Sequence, residues 1–184
     1  MRTNYEIQTL YDSTSINAMT KMTYDLFHPE VSGRIYLIAG AMLIAGAMGT
    51  SYSDSPFFML LLALGCFIIT GADYGAKTTA KQIIASLKEN FPQMKFSFRQ
   101  DNIVVTTPDT TGIVHYDIII KLAENRQYLF LFTSERAAYV LNKTDIPDGD
   151  VEGFKVFIQS KTGELPFERG TSFKAKLMAG LKKK

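Results

Sequence analysis

Two strongly apolar stretches lie in the first half of the chain. The chain carries no charged residue between Arg34 and Asp54, or between Asp54 and Asp73. Both stretches are apolar on all sides, whereas a helix on the surface of a soluble protein keeps a polar face. Pro56 suits the first turn of a second helix, because its missing N–H would have no helical partner there. The pattern predicts a transmembrane helical hairpin over residues 34–72.

The lengths of the two apolar cores leave an alternative open. The cores, Ile35 to Met48 and Phe57 to Ala72, are short for a bilayer core of about 30 Å, and only their uncharged flanks bring them near to that length. A buried pair of helices in a soluble protein would show the same lengths. The remaining chain, however, offers little structure that could bury two such helices.

Basic residues predict the orientation of the hairpin. The loop between the stretches has no Lys or Arg, while Arg34 precedes the first stretch and basic residues follow the second, namely Lys77, Lys81 and Lys88. The positive-inside rule then places both ends in the cytoplasm. Residues 1–30 lack the basic start and apolar core of a signal peptide, so we expect the first span to be retained. The expected location is the inner (plasma) membrane, with two passes.

Small residues recur along the first span. Ala41, Ala45 and Gly49 have a four-residue spacing, so one side of this helix is nearly smooth. Such a side allows close helix packing. The sequence leaves open whether this side packs on the second span or on a second copy, in which case the protein would be a homodimer.

The rest of the chain predicts a small mixed domain. A strand is expected at Tyr5 to Tyr11 and a helix capped within Asp12–Ser15 after it, and a juxtamembrane helix in residues 73–92 continues the second span. From Met94 the apolar period becomes that of strands, with a turn expected at Leu122 to Arg126. A helix follows Pro147. The predicted organisation is therefore residues 1–33 leading to the membrane, 34–72 as the hairpin, 73–92 as the juxtamembrane helix, 93–166 as a cytoplasmic antiparallel β domain, and 167–184 as a basic tail.

Four stretches of this β domain carry a resemblance to a known family. They are Gly112–Ile118, Tyr128–Thr133, Ala138–Lys143 and the helix around Phe154. With the N-terminal strand and the hairpin, their order resembles the YcxB-like family of small bacterial membrane proteins. The resemblance implies a pleckstrin-homology-like sheet with one capping helix, and no established activity. A further expectation is that the N-terminal strand joins this sheet, because pairing would satisfy its backbone groups.

The C-terminal tail combines apolar and basic positions. Thr171 and Ser172 can cap a short helix in which apolar residues, Phe173, Leu177 and Leu181, recur every four residues. Five lysines supply charge: Lys174, Lys176, Lys182, Lys183 and Lys184. The pattern predicts a helix that binds a membrane surface with anionic headgroups. A disordered solubilising end is the alternative.

The sequence offers little catalytic or metal-binding chemistry. Cys66 is the only cysteine and lies in an apolar stretch, and the two histidines, His28 and His115, are far apart, so we predict no metal site and no catalytic residues. The segment Gly71–Thr78 approximates a phosphate-binding loop, but Ala76 stands where a glycine is needed, so we expect no nucleotide or other cofactor. A net charge of +2 gives no reason to expect nucleic acid.

The function expected from the sequence is therefore a non-enzymatic one. The first hypothesis is a membrane-tethered binding or interaction module. The alternative is an accessory or immunity-type subunit whose hairpin packs on a larger membrane protein.

Overall fold

The computed structural model describes residues 3–87 and 91–181. The chain forms two compact units. One unit, which we call the β unit, consists of Met1–Met22 and Thr79–Gly170. The other, the helical unit, consists of Thr23–Thr78 and Thr171–Lys184. The N-terminal residues and the middle of the chain thus fold together, although the hairpin separates them in the sequence.

The first sheet of the β unit includes the N-terminal strand. Its order is β1-β2-β3-β4, with all neighbours antiparallel. The strands are β1 (Thr3–Leu10), β2 (Gln93–Arg99), β3 (Asn102–Thr106) and β4 (Thr111–His115). The pairing of β1 with β2 confirms the prediction that the first strand joins the strands that follow the hairpin.

The second sheet lies in the order β7-β6-β5-β8. Its strands are β5 (Lys121–Glu124), β6 (Tyr128–Ser134), β7 (Ala137–Asn142) and β8 (Phe167–Glu168), and β8 is parallel to β5. The turn predicted at Leu122 to Arg126 therefore begins too early, because Leu122 to Glu124 belong to β5. Leu122 and Ala123 are fully buried between two strands, and the turn follows at Asn125, whose side chain accepts hydrogen bonds from the Gln127 and Tyr128 amides.

Side chains connect the two sheets where β1 approaches β7. The Val140 amide donates to the Tyr11 hydroxyl at 2.7 Å, and the Thr9 hydroxyl donates to the Asp145 carboxylate at 2.9 Å. Burial raises the pKa of Tyr11 well above its ordinary value, so the hydroxyl stays protonated. Thus β1 is fixed on both sides, by main-chain pairing to β2 and by side-chain hydrogen bonds toward β7.

One helix covers the first sheet. Helix α5 (Val151–Lys161) begins at Asp150, whose carboxylate accepts a hydrogen bond from the Gly153 amide. Its Phe154 is fully buried and packs edge-on against Tyr5 and Phe98. The structure thus contains one helix on an antiparallel sheet, as expected, but also a second sheet that the sequence did not predict.

The chain enters the helical unit along α1 (Ser13–Phe27). The Asp12 carboxylate accepts from the Ser15 amide at 2.7 Å, and the Asp12 amide donates back to the Ser15 hydroxyl. This reciprocal cap satisfies N–H groups that the first helical turn leaves unpaired. The predicted helix start within Asp12–Ser15 is confirmed.

The helical unit is built on α2 (Pro29–Tyr52) and α3 (Pro56–Thr70), joined by a three-residue connection around Asp54. Helix α4 (Tyr74–Ser86) follows α3 after a bend of 42°. The helix predicted after the second span is present as α4, but it is not collinear with α3: α3 ends at Thr70, with Gly71 as its C-cap, and the chain changes direction before Tyr74. The last residues of the predicted juxtamembrane helix, 88–90, lie outside the described residues.

Candidate membrane interface

The helical unit exposes a large apolar surface. Exposed large hydrophobic side chains occur at five positions of α2 and six of α3: Val31, Ile38, Ile44, Met48, Tyr52, Phe57, Met59, Leu60, Leu64, Phe67 and Ile69. Monomeric soluble proteins rarely expose large contiguous apolar patches. Where such patches occur, they usually contact another protein or a membrane. This surface is the feature of the described residues that most needs a partner.

Within residues 3–87 and 91–181, only one helix satisfies the length and composition of a membrane span by itself. Helix α2 has 24 residues, about 36 Å at 1.5 Å per residue, and only 22% of its most apolar window is buried. The core helix of a soluble protein can also be this long and apolar, but would be mostly buried. Helix α3 has 15 residues, about 22 Å, and reaches span length only together with the bent α4.

The packing between α2 and α3 uses glycines. A Cβ atom on Gly46 would lie 3.0 Å from the Phe58 carbonyl oxygen, and one on Gly65 would lie 3.2 Å from the Ala39 carbonyl oxygen. Gly49 faces the Phe58 ring. Because the contacts pair later residues of α2 with earlier residues of α3, the two helices form an antiparallel hairpin.

The small residues predicted for helix packing divide between two sides of α2. Gly49 lies in the contact with α3, whereas Ala41 and Ala45 are exposed. The buried small positions of α2 are Ser32, Gly33, Ala39 and Gly46, which the four-residue spacing did not select. Packing of Ala41 and Ala45 on a second copy stays a prediction.

The two ends of the hairpin lie together. Tyr24 precedes α2 and Gly75 follows α3, and a Cβ on Gly75 would lie 2.9 Å from the Tyr24 ring. The chain therefore leaves the hairpin at the end where it entered.

The C-terminal helix α6 (Phe173–Leu181) packs on the beginning of α2. The closest approach, which we call the glycine crossing, joins Gly33 and Gly180. A Cβ on Gly180 would lie 2.6 Å from the Gly33 carbonyl carbon, and a Cβ on Gly33 would collide with the Lys176 backbone. The Phe173 ring contacts the Tyr36 ring, with centroids 5.2 Å apart. Side chains at Gly33 or Gly180 would prevent this approach.

An ion pair lies beside the glycine crossing. Lys176 is only 8% exposed, and its Nζ lies 2.5 Å from the Asp25 carboxylate. The Thr171 hydroxyl also donates to the Asp25 carbonyl oxygen. The sequence pattern predicts Lys176 at the membrane surface and gives no role to Asp25. Local sequence spacing could not pair Asp25 with Lys176, because the two residues are far apart in the sequence. The only available signal was the charge of Asp25 among the apolar and aromatic residues at the end of α1.

The other tail lysines differ in position. Lys174 is exposed on α6, whereas Lys182, Lys183 and Lys184 lie outside the described residues. Ser172 caps α6, because its hydroxyl accepts from the Ala175 amide at 3.3 Å. Membrane-surface binding by these lysines stays a prediction.

The β unit contains one concentrated charge network, around Glu124 at the end of β5. Its carboxylate pairs with Lys143 at 2.9 Å, Lys155 at 3.3 Å and Arg169 at 2.9 Å. Burial by itself would raise the pKa of Glu124. Hydrogen bonds from Lys143 and Arg169, and the charges of Lys143 and Lys155, outweigh burial and hold the pKa at about 2. The network connects β5, the segment after β7, α5 and the chain after β8.

The remaining polar candidates are scattered. His115 is exposed at the end of β4, and His28 precedes α2 with its ring against Tyr24. Among the described residues, no group of three or more His, Cys, Asp or Glu side chains could hold a metal ion. The Gly71–Thr78 segment forms the bend between α3 and α4 and the start of α4, rather than a loop after a strand.

Comparison with known proteins gives one match. The model of the family described as YcxB-like protein matches residues 98–158, which run from the end of β2 to α5. No curated protein and no solved structure matches the chain significantly. The matched segment contains all four stretches that carried the resemblance in the sequence. Residues 98–158 are therefore similar to the YcxB-like family.

Proposed function

We propose that this protein is a membrane-tethered interaction module, in which α2 and α3 cross the plasma membrane as a hairpin and the β unit binds a partner in the cytoplasm. The observation that carries the proposal is the exposed apolar surface of α2 and α3. In a bilayer these side chains contact lipid, and the backbone groups of both helices are satisfied internally. Helix α3 alone is short for a bilayer core, so its span includes the uncharged residues that flank it, Ser55, Gly71 and Ala72.

The geometry of the helical unit supports a topology in which both ends of the hairpin lie on the same side of the membrane. Tyr24 and Gly75 lie together at one end of the hairpin, and the short connection around Asp54 lies at the other. Arg34 and Lys77 lie near the first end, and the connection carries no Lys or Arg. The positive-inside rule then assigns the first end to the cytoplasm.

The free edge of the first sheet supports a binding role. Strand β4 is the last strand of its sheet, and Ile113 on it is exposed, as are Ile118 and Ile120 just after it. An edge strand offers unpaired N–H and C=O groups to an extended segment of another protein, and neighbouring apolar side chains add contact area. A pleckstrin-homology-like arrangement of the β unit belongs to this proposal.

A second candidate is an accessory subunit whose hairpin packs on a larger membrane protein. The observation that favours it is the exposure of Ala41 and Ala45 on α2, because small residues on a lipid-facing side permit close approach of another helix. Purification in a mild detergent distinguishes the two: only the accessory subunit would carry a stoichiometric membrane partner through the hairpin.

The experiment that tests the proposal compares two exposed apolar residues. Leu60 on α3 is 56% exposed and Ile113 on β4 is 64% exposed, so neither substitution opens a cavity. We expect the unaltered chain and Ile113→Glu to stay in the membrane pellet after alkaline carbonate extraction. Leu60→Glu should reduce the membrane-integrated fraction, because a charged residue in a span costs about 2.5–3.5 kcal/mol. Release of the unaltered chain by carbonate, or identical behaviour of the two variants, would contradict the proposal.

A further inference from the structure

Helix α6 has two unlike sides. Lys176 and Gly180 face α2 and Asp25, where the lysine is paired and the glycine permits close contact. The opposite side is exposed and mostly apolar, and consists of Ala175, Met178, Leu181 and the single charged residue Lys174. In water such a side would be unfavourable, because Met178 is 56% exposed and Leu181 is 63% exposed.

The position of the glycine crossing places α6 at one end of the apolar run of α2. Gly33 lies directly before Arg34, the last charged residue before Asp54. The Phe173 ring reaches Tyr36, about one helical turn further along α2. Aromatic side chains are enriched at the boundary between headgroups and acyl chains, and an amphipathic helix at that boundary buries its apolar side.

We propose that α6 is an interfacial membrane helix, which the glycine crossing and the buried Asp25–Lys176 pair hold against α2. Ala175, Met178 and Leu181 then lie at the headgroup–acyl boundary of the cytoplasmic leaflet, with Lys174 toward the headgroups. This inference rests on the proposed function, because it requires α2 to cross the bilayer.

The inference changes the role expected for the tail. The sequence pattern predicts a tail helix that binds anionic headgroups through its lysines. In the structure α6 is held by protein contacts, since its Lys176 ammonium is already paired within the helical unit. The lipid contact is therefore made mainly by an apolar side whose depth α2 fixes, and anionic charge is not required to form the helix.

A fluorescent label tests the depth of α6 in the full chain. In a Cys66→Ser background, Met178→Cys carries an environment-sensitive fluorophore, and the protein is reconstituted into phosphatidylcholine vesicles. Nitroxide groups are placed in the lipids either near the headgroup or near the end of the acyl chain. We expect a blue-shifted emission that the shallow nitroxide quenches strongly and the deep nitroxide weakly. An emission like that of a label in water would overturn the inference.

A second label separates the failure of the inference from that of the proposed function. Leu64→Cys places the fluorophore on the exposed side of α3. Quenching at Leu64 without quenching at Met178 contradicts the position of α6 alone. Absence of quenching at both positions contradicts the membrane hairpin itself.

Two further variants test what holds α6. Gly33→Leu blocks the glycine crossing, and Gly40→Leu is its control, because nothing lies within 4 Å of a Cβ at Gly40. We expect Gly33→Leu to weaken the shallow quenching of the Met178 label and Gly40→Leu to leave it unchanged, with the Leu64 label reporting that the hairpin still inserts. If Gly33→Leu prevents insertion, Lys176→Met removes the ion pair with little change in length and should weaken the quenching in the same way. Unchanged quenching in an inserted variant would contradict retention by α2.

Discussion

At the scale of single residues, Glu124 is the most consequential charged group in the β unit. Its carboxylate is 7% exposed and lies among three basic side chains, whereas most other ion pairs of this unit lie nearer the surface. Removing one member of a buried charge network leaves the others uncompensated, which is more costly than losing a surface pair. The network therefore stabilises the junction between β5, α5 and the chain that leads to the tail.

Glu124→Gln should lower the free energy of unfolding of the β unit by about 2 kcal/mol or more, because three basic groups lose their common partner. For a chain of this size that corresponds to a fall of about 4–8 °C in the midpoint of thermal unfolding, followed by circular dichroism in mild detergent. Glu168→Gln is the control. Its carboxylate pairs with Lys121 but is 42% exposed, so the loss should stay within about 1 kcal/mol. An equal fall in the free energy of unfolding in both variants would show that the burial of Glu124 does not make its ion pairs more stabilising than a surface pair.

The same group predicts a dependence on pH. The pKa of Glu124 is about 2 in the folded protein, against an ordinary value of 4.5. A carboxylate whose pKa is lowered by folding stabilises the folded protein at pH values above its ordinary pKa. This stabilisation is lost as the pH falls toward 2. The difference in unfolding midpoint between the unaltered chain and Glu124→Gln should therefore be largest above about pH 5 and shrink between pH 4.5 and 2. A difference that grows on acidification would contradict the assignment.

At the scale of elements, β1 depends on contacts that are remote in the sequence. The Tyr11 hydroxyl accepts from the Val140 amide at 2.7 Å, inside the β unit. Tyr11→Phe leaves this amide without that partner, and an unsatisfied buried donor costs about 1–3 kcal/mol. We expect a lower unfolding midpoint and faster amide exchange at Val140. Tyr52→Phe removes a hydroxyl from a side chain that is 87% exposed and should leave both unchanged. Unaltered exchange at Val140 in Tyr11→Phe would count against this contact.

The hairpin provides a matched pair of glycines. A side chain at Gly46 would meet the α3 backbone near Phe58 and Leu62, whereas one at Gly40 would meet open space. Gly46→Val should therefore destabilise the helical unit in detergent by about 1–3 kcal/mol, as overpacking does elsewhere, and Gly40→Val should not. If both variants unfold at the same temperature, the α2–α3 packing described above is incorrect.

The sequence predicted the local elements better than their partners. The cap within Asp12–Ser15, the helix after Pro147 and the two apolar helices follow from residue type and spacing, because the interactions that form them lie within a few residues. The position of β5 could not be predicted from the sequence, because Leu122 and Ala123 show no alternation of apolar and polar residues. They form a strand because β6 and β8 pair with them on either side. The Asp25–Lys176 pair and the glycine crossing are also invisible locally, because tertiary packing alone brings those residues together.

At the scale of the whole molecule, an apolar helical unit interrupts the sequence of a β unit that matches the YcxB-like family over residues 98–158. The exposed surface of α2 and α3 makes the bilayer the partner we propose for that unit. The order of elements then requires that the residues before α2 and those after α3 lie on one side of the membrane. The connection between α2 and α3 must lie on the other side.

The accessibility of two exposed loop residues to a membrane-impermeant thiol reagent tests this arrangement most directly. Asp54→Cys lies in the connection between α2 and α3, and Asp109→Cys lies in the turn between β3 and β4, each in a Cys66→Ser background. On intact cells we predict labelling at Asp54→Cys and none at Asp109→Cys until the cells are opened. Labelling of Asp109→Cys on intact cells, or equal labelling of both residues, would contradict the membrane hairpin and its orientation.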